Sequence, residues 1–138
     1  MRLGNGLIND LYTAALVKMS HSDTLSTGEI TDQIFAVETR AANFYLIKNG
    51  EYLVCFDSGF GIPVIRRELS RLGINSDSIT HLFLTHTDID HAGGTRLFQN
   101  AEIYFSSDEE QMIDRTRVRL WGLIYNPKMR RAYHLLKD

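Results

Sequence analysis

The sequence predicts an α/β (α+β) fold in which helices flank a mixed, mainly antiparallel sheet. The dipeptide Asn49-Gly50 separates two strand-like runs and favours a tight hairpin, because both central residues of a type I′ turn need positive φ. Apolar residues then recur at helical spacing from Ile62 to Leu72, and a polar, glycine-rich segment follows another buried strand. This order of elements is typical of half of a mixed α/β sandwich.

Five apolar runs predict strands, at residues 30–37, 43–48, 51–56, 79–84 and 101–105. The third run is nearly continuous in apolar side chains, so we expect both faces of that strand to be buried. It ends in Asp57-Ser58-Gly59, which is typical of a turn.

An amphipathic helix is predicted after that turn. Its apolar stripe has residues spaced by three, four and three positions: Ile62, Ile65, Leu69 and Leu72. Pro63 fits the first turn, where a missing N–H costs nothing, and Gly73 is a typical stop. Ser107 and Glu110 form a capping-box pattern that predicts the start of a second helix, and residues 111–138 look helical or irregular.

Length and composition favour one globular domain over residues 1–138, with 43% hydrophobic residues, 23% charged residues and a formal net charge of −2. Basic residues concentrate only in residues 115–137, where they fit a solvated helical face, so no nucleic-acid footprint is expected. No apolar run approaches the roughly 18 residues of a membrane span. The single cysteine, Cys55, allows no internal disulfide and fits a reducing compartment, so a cytoplasmic location is expected.

Metal-ligating side chains concentrate after the run 79–84: two imidazoles and two carboxylates lie within six residues, at His86, Asp88, Asp90 and His91. Histidine nitrogen suits zinc, iron and nickel, and carboxylate oxygen moves the preference toward harder ions. In a loop that leaves a strand, His86 and Asp88 can bind one ion together, while Asp90 and His91 turn toward a second position. Two ions roughly 3.5–4 Å apart would polarise a substrate oxygen and generate a bound hydroxide near neutral pH.

Two motifs together closely resemble those of the metallo-β-lactamase superfamily. Asp57-Ser58-Gly59 follows a buried strand, and Thr85-His86-x-x-x-Asp90-His91-x-Gly93-Gly94 follows the amphipathic helix and the next strand. The resemblance runs from about residue 29 to residue 105. It implies that residues 1–138 are the N-terminal half of an αββα sandwich whose C-terminal half is absent, and that zinc, as one or two ions, binds at the sheet edge.

The resemblance also assigns roles by position. His86 would be a ligand of the first metal, and Asp90 and His91 would be ligands of the second. Asp90 would also act catalytically, by accepting the proton of the attacking water. Asp57 and Thr85 would support the ligands and the motif loop through hydrogen bonds, although simple turn capping is the alternative for Asp57.

Asp88 departs from the superfamily pattern, which usually has a histidine at that position. An aspartate can still ligate and would favour iron or manganese over a purely zinc site, and the related flavodiiron reductases carry a glutamate there. The alternative that Asp88 is not a ligand also stays open. The superfamily's remaining ligands are expected from the second half of the sandwich, and His21, His81 and His134 are not expected to bind metal.

The function that the resemblance implies is that of a metal-dependent hydrolase, in which metal-bound hydroxide attacks an ester, thioester, lactone, lactam or phosphoester of a small-molecule substrate. One alternative is a di-iron redox protein related to the flavodiiron proteins. Another is a catalytically incomplete fragment that acts as an assembly module. Because a half-sandwich would leave its inner sheet face open, the expected partner is a second copy in a homo-oligomer or a complementing C-terminal half, and neither nucleic acid nor a membrane.

Overall fold

The computed structural model of the protein describes residues 24–114, 129 and 131–137. Within these residues one mixed sheet contains seven strands in sequential order. The strands are β1 (Gly28–Thr31), β2 (Ile34–Glu38), β3 (Asn43–Asn49), β4 (Tyr52–Phe56), β5 (His81–Phe83), β6 (Glu102–Ser106) and β7 (His134–Leu136). The three pairings from β1 to β4 are antiparallel and the three from β4 to β7 are parallel, which confirms a mixed sheet but gives it equal parts rather than a mainly antiparallel character. The prediction of helical or irregular structure for residues 115–128 lies outside the described residues.

The run 30–37, predicted as one strand, is a hairpin. Thr31 of β1 lies opposite Ile34 of β2, and the two residues between them form the turn. Gln33 has a φ of 68° there, a left-handed conformation that is uncommon outside glycine and asparagine. The prediction of a single strand is wrong because Asp32 and Gln33 carry none of the usual glycine or proline signals for a turn.

The predicted hairpin between β3 and β4 is confirmed, but its turn lies one residue further along the chain. Asn49 lies opposite Tyr52, so Gly50 and Glu51 are the central residues of the turn. Gly50 has a φ of 60°, and Glu51 is not among the residues with positive φ. Glycine with positive φ at the first central position is the pattern of a type II′ turn rather than a type I′ turn.

The predicted amphipathic helix is α1 (Ile62–Arg71), which covers one face of the sheet. Pro63 lies in its first turn, and Ile65 and Leu69 are buried in the core. The helix ends in a Schellman motif: Gly73, with a φ of 66°, donates to Ser70 O, and Ile74 donates to Leu69 O, both at 3.0 Å. The fully buried strand residues beneath the helix side of the sheet include Val37, Phe44, Leu46, Cys55, Leu82, Ile103 and Phe105.

The opposite face of the sheet carries a row of rings that crosses five strands in register. These rings define the aromatic face, and they belong to Tyr45, Phe56, Phe83, Tyr104 and His134. From Phe56 to His134, successive ring centroids are 5.6, 4.9 and 4.7 Å apart. Phe56 is 37% exposed, so the expectation that both faces of β4 are buried is wrong. The side chains of β4 instead alternate between the core and the aromatic face.

The strand β7 was not predicted from the sequence. His134, placed by the sequence in a helical or irregular context, lies opposite Tyr104 in a parallel strand. Arg131 ties this segment to the rest of the fold, because its guanidinium donates to four backbone carbonyls at 2.6 to 3.4 Å. Those carbonyls belong to Thr95, Phe98, Gln99 and Ala101.

Two short helices follow α1 in the described chain, α2 (Ile89–Ala92) and α3 (Glu110–Ile113). The predicted cap of the second helix is displaced by one residue: Ser106 Oγ, rather than Ser107, accepts a hydrogen bond from Asp108 N at 3.3 Å. A single 3-10 turn then leads into α3. Of the helices that the structure describes, none has the length and apolar character that crossing a membrane requires.

Candidate metal centre

The predicted metal ligands and the two residues predicted to support them lie at the carboxyl ends of β4 and β5. Asp57 follows β4 directly, and Thr85 follows β5 after one intervening residue. Because the two strands are parallel neighbours, both ends meet at the same edge of the sheet. The chain from Thr85 to Asp88, which we call the motif loop, leads into α2. Ligand sites of open α/β sheets usually lie at such an edge.

Three of the four predicted ligands converge. His86, Asp90 and His91 each offer one ligand atom, and these atoms all lie within 4.8 Å of one another. The ring centroids of the two histidines are 3.9 Å apart, and Asp90 Oδ2 lies 3.4 Å from His91 Nε2. Asp88 does not belong to this trio, but its Oδ2 lies 3.7 Å from His86 Nε2. Asp88 is thus a neighbour of the first histidine at the margin of the site.

Asp57 connects the motif loop to α2. Its carboxylate accepts hydrogen bonds from the backbone N–H of Thr85 at 2.8 Å and from the Thr85 hydroxyl at 2.8 and 3.0 Å. Its Oδ2 also lies 2.8 Å from His91 Nδ1. Asp57 adopts a φ of 64°, and such rarely populated backbone conformations cluster at functional sites. One buried carboxylate therefore fixes the start of the motif loop and one of the histidine rings together.

The hydrogen bonds of Thr85 set the tautomer of His86. A carboxylate only accepts hydrogen bonds, so the single hydroxyl proton of Thr85 goes to Asp57. Thr85 Oγ1 also lies 3.0 Å from His86 Nδ1, where it must accept, so Nδ1 carries the ring proton. The lone pair of His86 is then on Nε2, the atom that faces Asp88. Asp57 holds Nδ1 of His91 in the same way.

The charges around His91 favour its protonated form in the absence of an ion. Burial disfavours the charged imidazolium, but hydrogen bonds to Asp57 and Asp90 and the charges of both outweigh it and raise the pKa of His91 to about 9. Burial likewise raises the pKa of Asp90, but the hydrogen bond and charge of His91 outweigh it, so the net pKa is lowered. An ion that binds His91 Nε2 must displace a proton, because metal ligands bind in their deprotonated form.

Gly94 lets the segment after α2 pass close to the turn after β4. Its N–H donates to Gly59 O at 3.0 Å and to Ser58 Oγ at 3.1 Å. A Cβ at this position would lie 2.2 Å from Ser58 O and 2.7 Å from Ile65 Cδ1, closer than real Cβ atoms come. Ser58 in turn donates its backbone N–H and its hydroxyl to His91 O, at 2.6 and 2.9 Å. A side chain at residue 94 would therefore separate the turn from α2.

Sequence reasoning missed two supports of this site, Ser58 and Glu109. Glu109 Oε2 accepts hydrogen bonds from Thr87 N at 2.8 Å and from Thr87 Oγ1 at 2.9 Å. Glu109 follows β6 and lies 22 residues beyond Thr87, so no local pattern connects the two. The one sequence signal is the second threonine of Thr85-His86-Thr87, which repeats the residue type that Asp57 holds.

The other described histidines lie away from the trio, on the side of the sheet that carries the aromatic face. His81 Nδ1 is 2.9 Å from Thr80 Oγ1, and His134 Nε2 is 3.7 Å from Glu102 Oε2. His21 lies outside the described residues. Across residues 24–114, 129 and 131–137, the trio is the one group of three ligating side chains that comes together.

The donor set of the trio fits a divalent ion of borderline hardness. Two imidazole nitrogens and a carboxylate oxygen are donors that zinc prefers, and three protein ligands with an open position are typical of catalytic zinc. Iron and manganese accept the same donors. The side chains of His86, Asp90 and His91 are 30%, 31% and 22% exposed, so the position is open to water on one side. Three donors suffice for one ion, and Asp88 offers a further carboxylate beside His86, at 3.7 Å from its Nε2.

Known proteins are similar to this chain over the region that carries these residues. The sequence family described as Metallo-beta-lactamase superfamily matches residues 37–104. A lactamase-like protein from Neosartorya fischeri is 37% identical over 60 residues, which are 43% of this chain and 18% of that protein. A protein from Mycobacterium bovis, named as a probable metallo-hydrolase, is 26% identical over 61% of this chain and 37% of its own length.

A solved structure is similar in the same region. It is a mutant of the HARLDQ motif of a metallo-beta-lactamase from Cronobacter sakazakii, with a TM-score of 0.58 and 27% identity over 65% of this chain and 38% of that chain. This match confirms the fold class that the motifs predicted. The chain spans less than two fifths of the length of each of these three proteins.

Proposed function

The chain belongs to the metallo-beta-lactamase superfamily, and on that premise we propose that His86, Asp90 and His91 bind a divalent metal ion as part of a hydrolase. The observation that carries the proposal is the convergence of three ligand atoms within 4.8 Å. It is supported by the hydrogen bonds at both Nδ1 atoms, which leave each histidine Nε2 for the ion. Zinc is the proposed ion, and iron or manganese fits the same donors.

The residues around the ion have separate proposed roles. When bound, such an ion polarises a carbonyl or phosphoryl oxygen and lowers the pKa of bound water. Asp90 accepts the proton of the attacking water through its carboxylate, and its side chain is 31% exposed. Asp57 and Thr85 hold the two imidazoles in place through their hydrogen bonds. The proposed substrate is a small molecule with an ester, thioester, lactone, lactam or phosphoester bond.

Asp88 is proposed as a ligand of a second ion, next to His86. The support is its position, with Oδ2 at 3.7 Å from His86 Nε2 and outside the trio. If Asp88 has this role, removing its carboxylate lowers the number of bound ions from two to one and leaves the trio intact. A harder ion such as iron or manganese is then favoured at the second position.

The aromatic face is proposed as the surface that a partner covers, either a complementing half of the sandwich or a second copy of the chain. Its support is a row of stacked rings from Phe56 to His134, on four neighbouring strands, that stays partly exposed. Location in a reducing compartment, such as the cytoplasm, stays a prediction. The free and fully buried thiol of Cys55 is compatible with it.

The proposal is tested by metal titration of the purified chain after removal of metals with a chelator. We expect zinc to bind, with an affinity that falls at least about 100-fold in His86→Ala and His91→Ala, since each removes one of three ligands. His134→Ala is the matched control, because it removes an imidazole on the aromatic face and should leave the affinity unchanged.

The outcomes separate the candidate functions. Equal zinc affinity in His86→Ala and the original chain, or no binding of zinc, iron or manganese, would overturn the metal site. A site that takes up iron with visible absorbance and rejects zinc would favour the redox function over hydrolysis. Turnover of one ester, thioester, lactone, lactam or phosphoester by the zinc-loaded chain, and not by His86→Ala, would establish the hydrolase.

A further inference from the structure

Glu109 is a buried carboxylate that the proposed metal site does not use directly. It lies in the turn between β6 and α3, is 7% exposed, and accepts two hydrogen bonds from Thr87, which is 1% exposed. A carboxylate is unfavourable in the interior unless hydrogen bonds satisfy it. The contact is therefore a specific one between the segment after β6 and the middle of the motif loop.

The contact repeats the one that Asp57 makes two residues earlier. Asp57 accepts from the backbone N–H and the hydroxyl of Thr85, and Glu109 accepts from the same two groups of Thr87. In both contacts, the backbone nitrogen and the hydroxyl oxygen of the threonine each lie 2.8 to 2.9 Å from the nearest carboxylate oxygen. His86 thus lies between Thr85 and Thr87. Each of these threonines is held in the same manner by a carboxylate from a different part of the chain.

The backbone geometry shows what the second contact adds. The N–H of Thr87 belongs to the peptide plane that joins His86 to Thr87, so Glu109 fixes the orientation of that plane. Asp57 and Thr85 fix the other side of His86, the backbone before it and the Nδ1 of its ring. Without Glu109, the chain could rotate after His86, and the spacing between His86 and Asp88 would no longer be set.

We infer that Glu109 is a positioning residue that holds His86 and Asp88 in a metal-binding arrangement through the backbone and hydroxyl of Thr87. This role rests on the proposed metal site. Glu109 acts without touching the ion, since the group it binds is Thr87. Thr87 itself, placed between two candidate ligands, transmits the position of the segment after β6 to the motif loop.

The first test compares zinc affinities of the full chain by competition with a coloured chelator. Glu109→Gln replaces the charged acceptor of both hydrogen bonds with a neutral amide oxygen, which accepts more weakly, and we expect affinity to fall about 10-fold, the lower end for groups that support metal ligands. Thr87→Val keeps the N–H and loses the hydroxyl, so a smaller loss is expected. Thr87→Ser restores the hydroxyl and should return the affinity to that of the original chain.

A matched control separates positioning from general stability. Glu68 is another buried carboxylate, 2% exposed, and it pairs with Arg67 and Arg71 on α1. Glu68→Gln should lower thermal stability without changing zinc affinity. An equal loss of affinity in Glu68→Gln and Glu109→Gln, or none in a folded Glu109→Gln, would overturn the inference. The visible spectrum of bound Co²⁺ should also change in Glu109→Gln and not in Glu68→Gln.

A second test needs no metal and so distinguishes failure of this inference from failure of the proposed site. The amide of Thr87 should exchange slowly with solvent in the metal-free chain, and at least about 10-fold faster in Glu109→Gln, since its acceptor is weakened. Unchanged exchange would overturn the positioning role even if zinc binds. Faster exchange in a chain that binds no metal would support the positioning of the loop and reject the metal site alone.

Discussion

The two faces of the sheet are built from the same strands and differ in what covers them. On the helix side, alternate strand residues such as Leu46, Cys55 and Phe105 are fully buried beneath α1 and the neighbouring turns. On the aromatic face, Tyr45 and Phe56 from the same strands are each 37% exposed. Side chains of similar apolar character thus have different surroundings, because successive residues of a strand point to opposite faces of the sheet.

This difference separates the structural role of the two faces. The helix side has buried its apolar surface within the described chain, so most of the folding free energy should come from it. The rings on the aromatic face contact one another but still meet water, so their burial is available to a partner. The candidate metal site lies at the rim between the faces, where its polar groups are fixed by hydrogen bonds rather than by packing.

The sharpest test of the comparison deletes a ring from each face. Phe105 is fully buried on the helix side, so Phe105→Ala should lower the free energy of unfolding by about 3–5 kcal/mol. Phe56→Ala removes the same ring from the aromatic face, where part of it already contacts water, and should cost about 1–2 kcal/mol. Urea unfolding measures both losses of free energy, provided that the two variants have m-values similar to that of the original chain. Equal losses would show that the aromatic face is as well covered as the core.

The edge of the sheet that carries the candidate metal site depends on the close approach of backbone segments more than on the burial of apolar side chains. Gly94→Ala tests this. The new Cβ would meet Ser58 O, a backbone atom that cannot move aside, as well as Ile65. The free energy of unfolding should fall by about 2–3 kcal/mol, as for other overpacked sites, and zinc binding should weaken because Asp57 and His91 move apart. Gly28→Ala is the control, since nothing lies within 4 Å of its Cβ. A neutral Gly94→Ala would contradict the close approach.

The sequence predicted those features that depend on local pattern. The spacing of Ile62, Ile65 and Leu69 sufficed for α1, and Gly50 sufficed for a hairpin, although the turn type was displaced. The cluster around His86 and His91 was predicted at the end of a strand because its ligand types are so concentrated in the sequence. Each of these inferences uses residues within ten positions of one another.

Features that depend on contacts between distant segments were not predicted. Glu109 and Thr87 are 22 residues apart, and the pairing that makes β7 a strand is likewise non-local. The two faces of β4 could not be told apart either, since Cys55 and Phe56 are both apolar and only the covering helix decides which one is buried. The Asp32-Gln33 turn was missed because tertiary pairing imposes positive φ on a residue that does not prefer it.

The helix side also contains a buried charge, whose contribution should depend on pH. A hydrogen bond from Thr27 lowers the pKa of Glu68, burial opposes this, and Arg67 and Arg71 lower it further. The stabilisation is therefore complete above the ordinary pKa of 4.5 and is lost as the pH falls through the lowered value. Glu68→Gln should cost about 1–2 kcal/mol at neutral pH and progressively less in acid. Unfolding measured at several pH values would contradict this if the difference stayed constant.

The smallest effect on stability is expected at the most exposed ring next to the aromatic face. Tyr52 is 56% exposed and touches His81 at a centroid distance of 5.5 Å. Tyr52→Thr keeps strand propensity and removes the ring, so the free energy of unfolding should change by less than about 0.5 kcal/mol. Binding of a fluorescent apolar dye, or self-association measured by sedimentation, should nevertheless decrease, because part of the apolar surface offered to a partner is gone. A large loss of stability together with unchanged dye binding would mean that this ring is part of the folded core, and the contrast between the two faces would then fail.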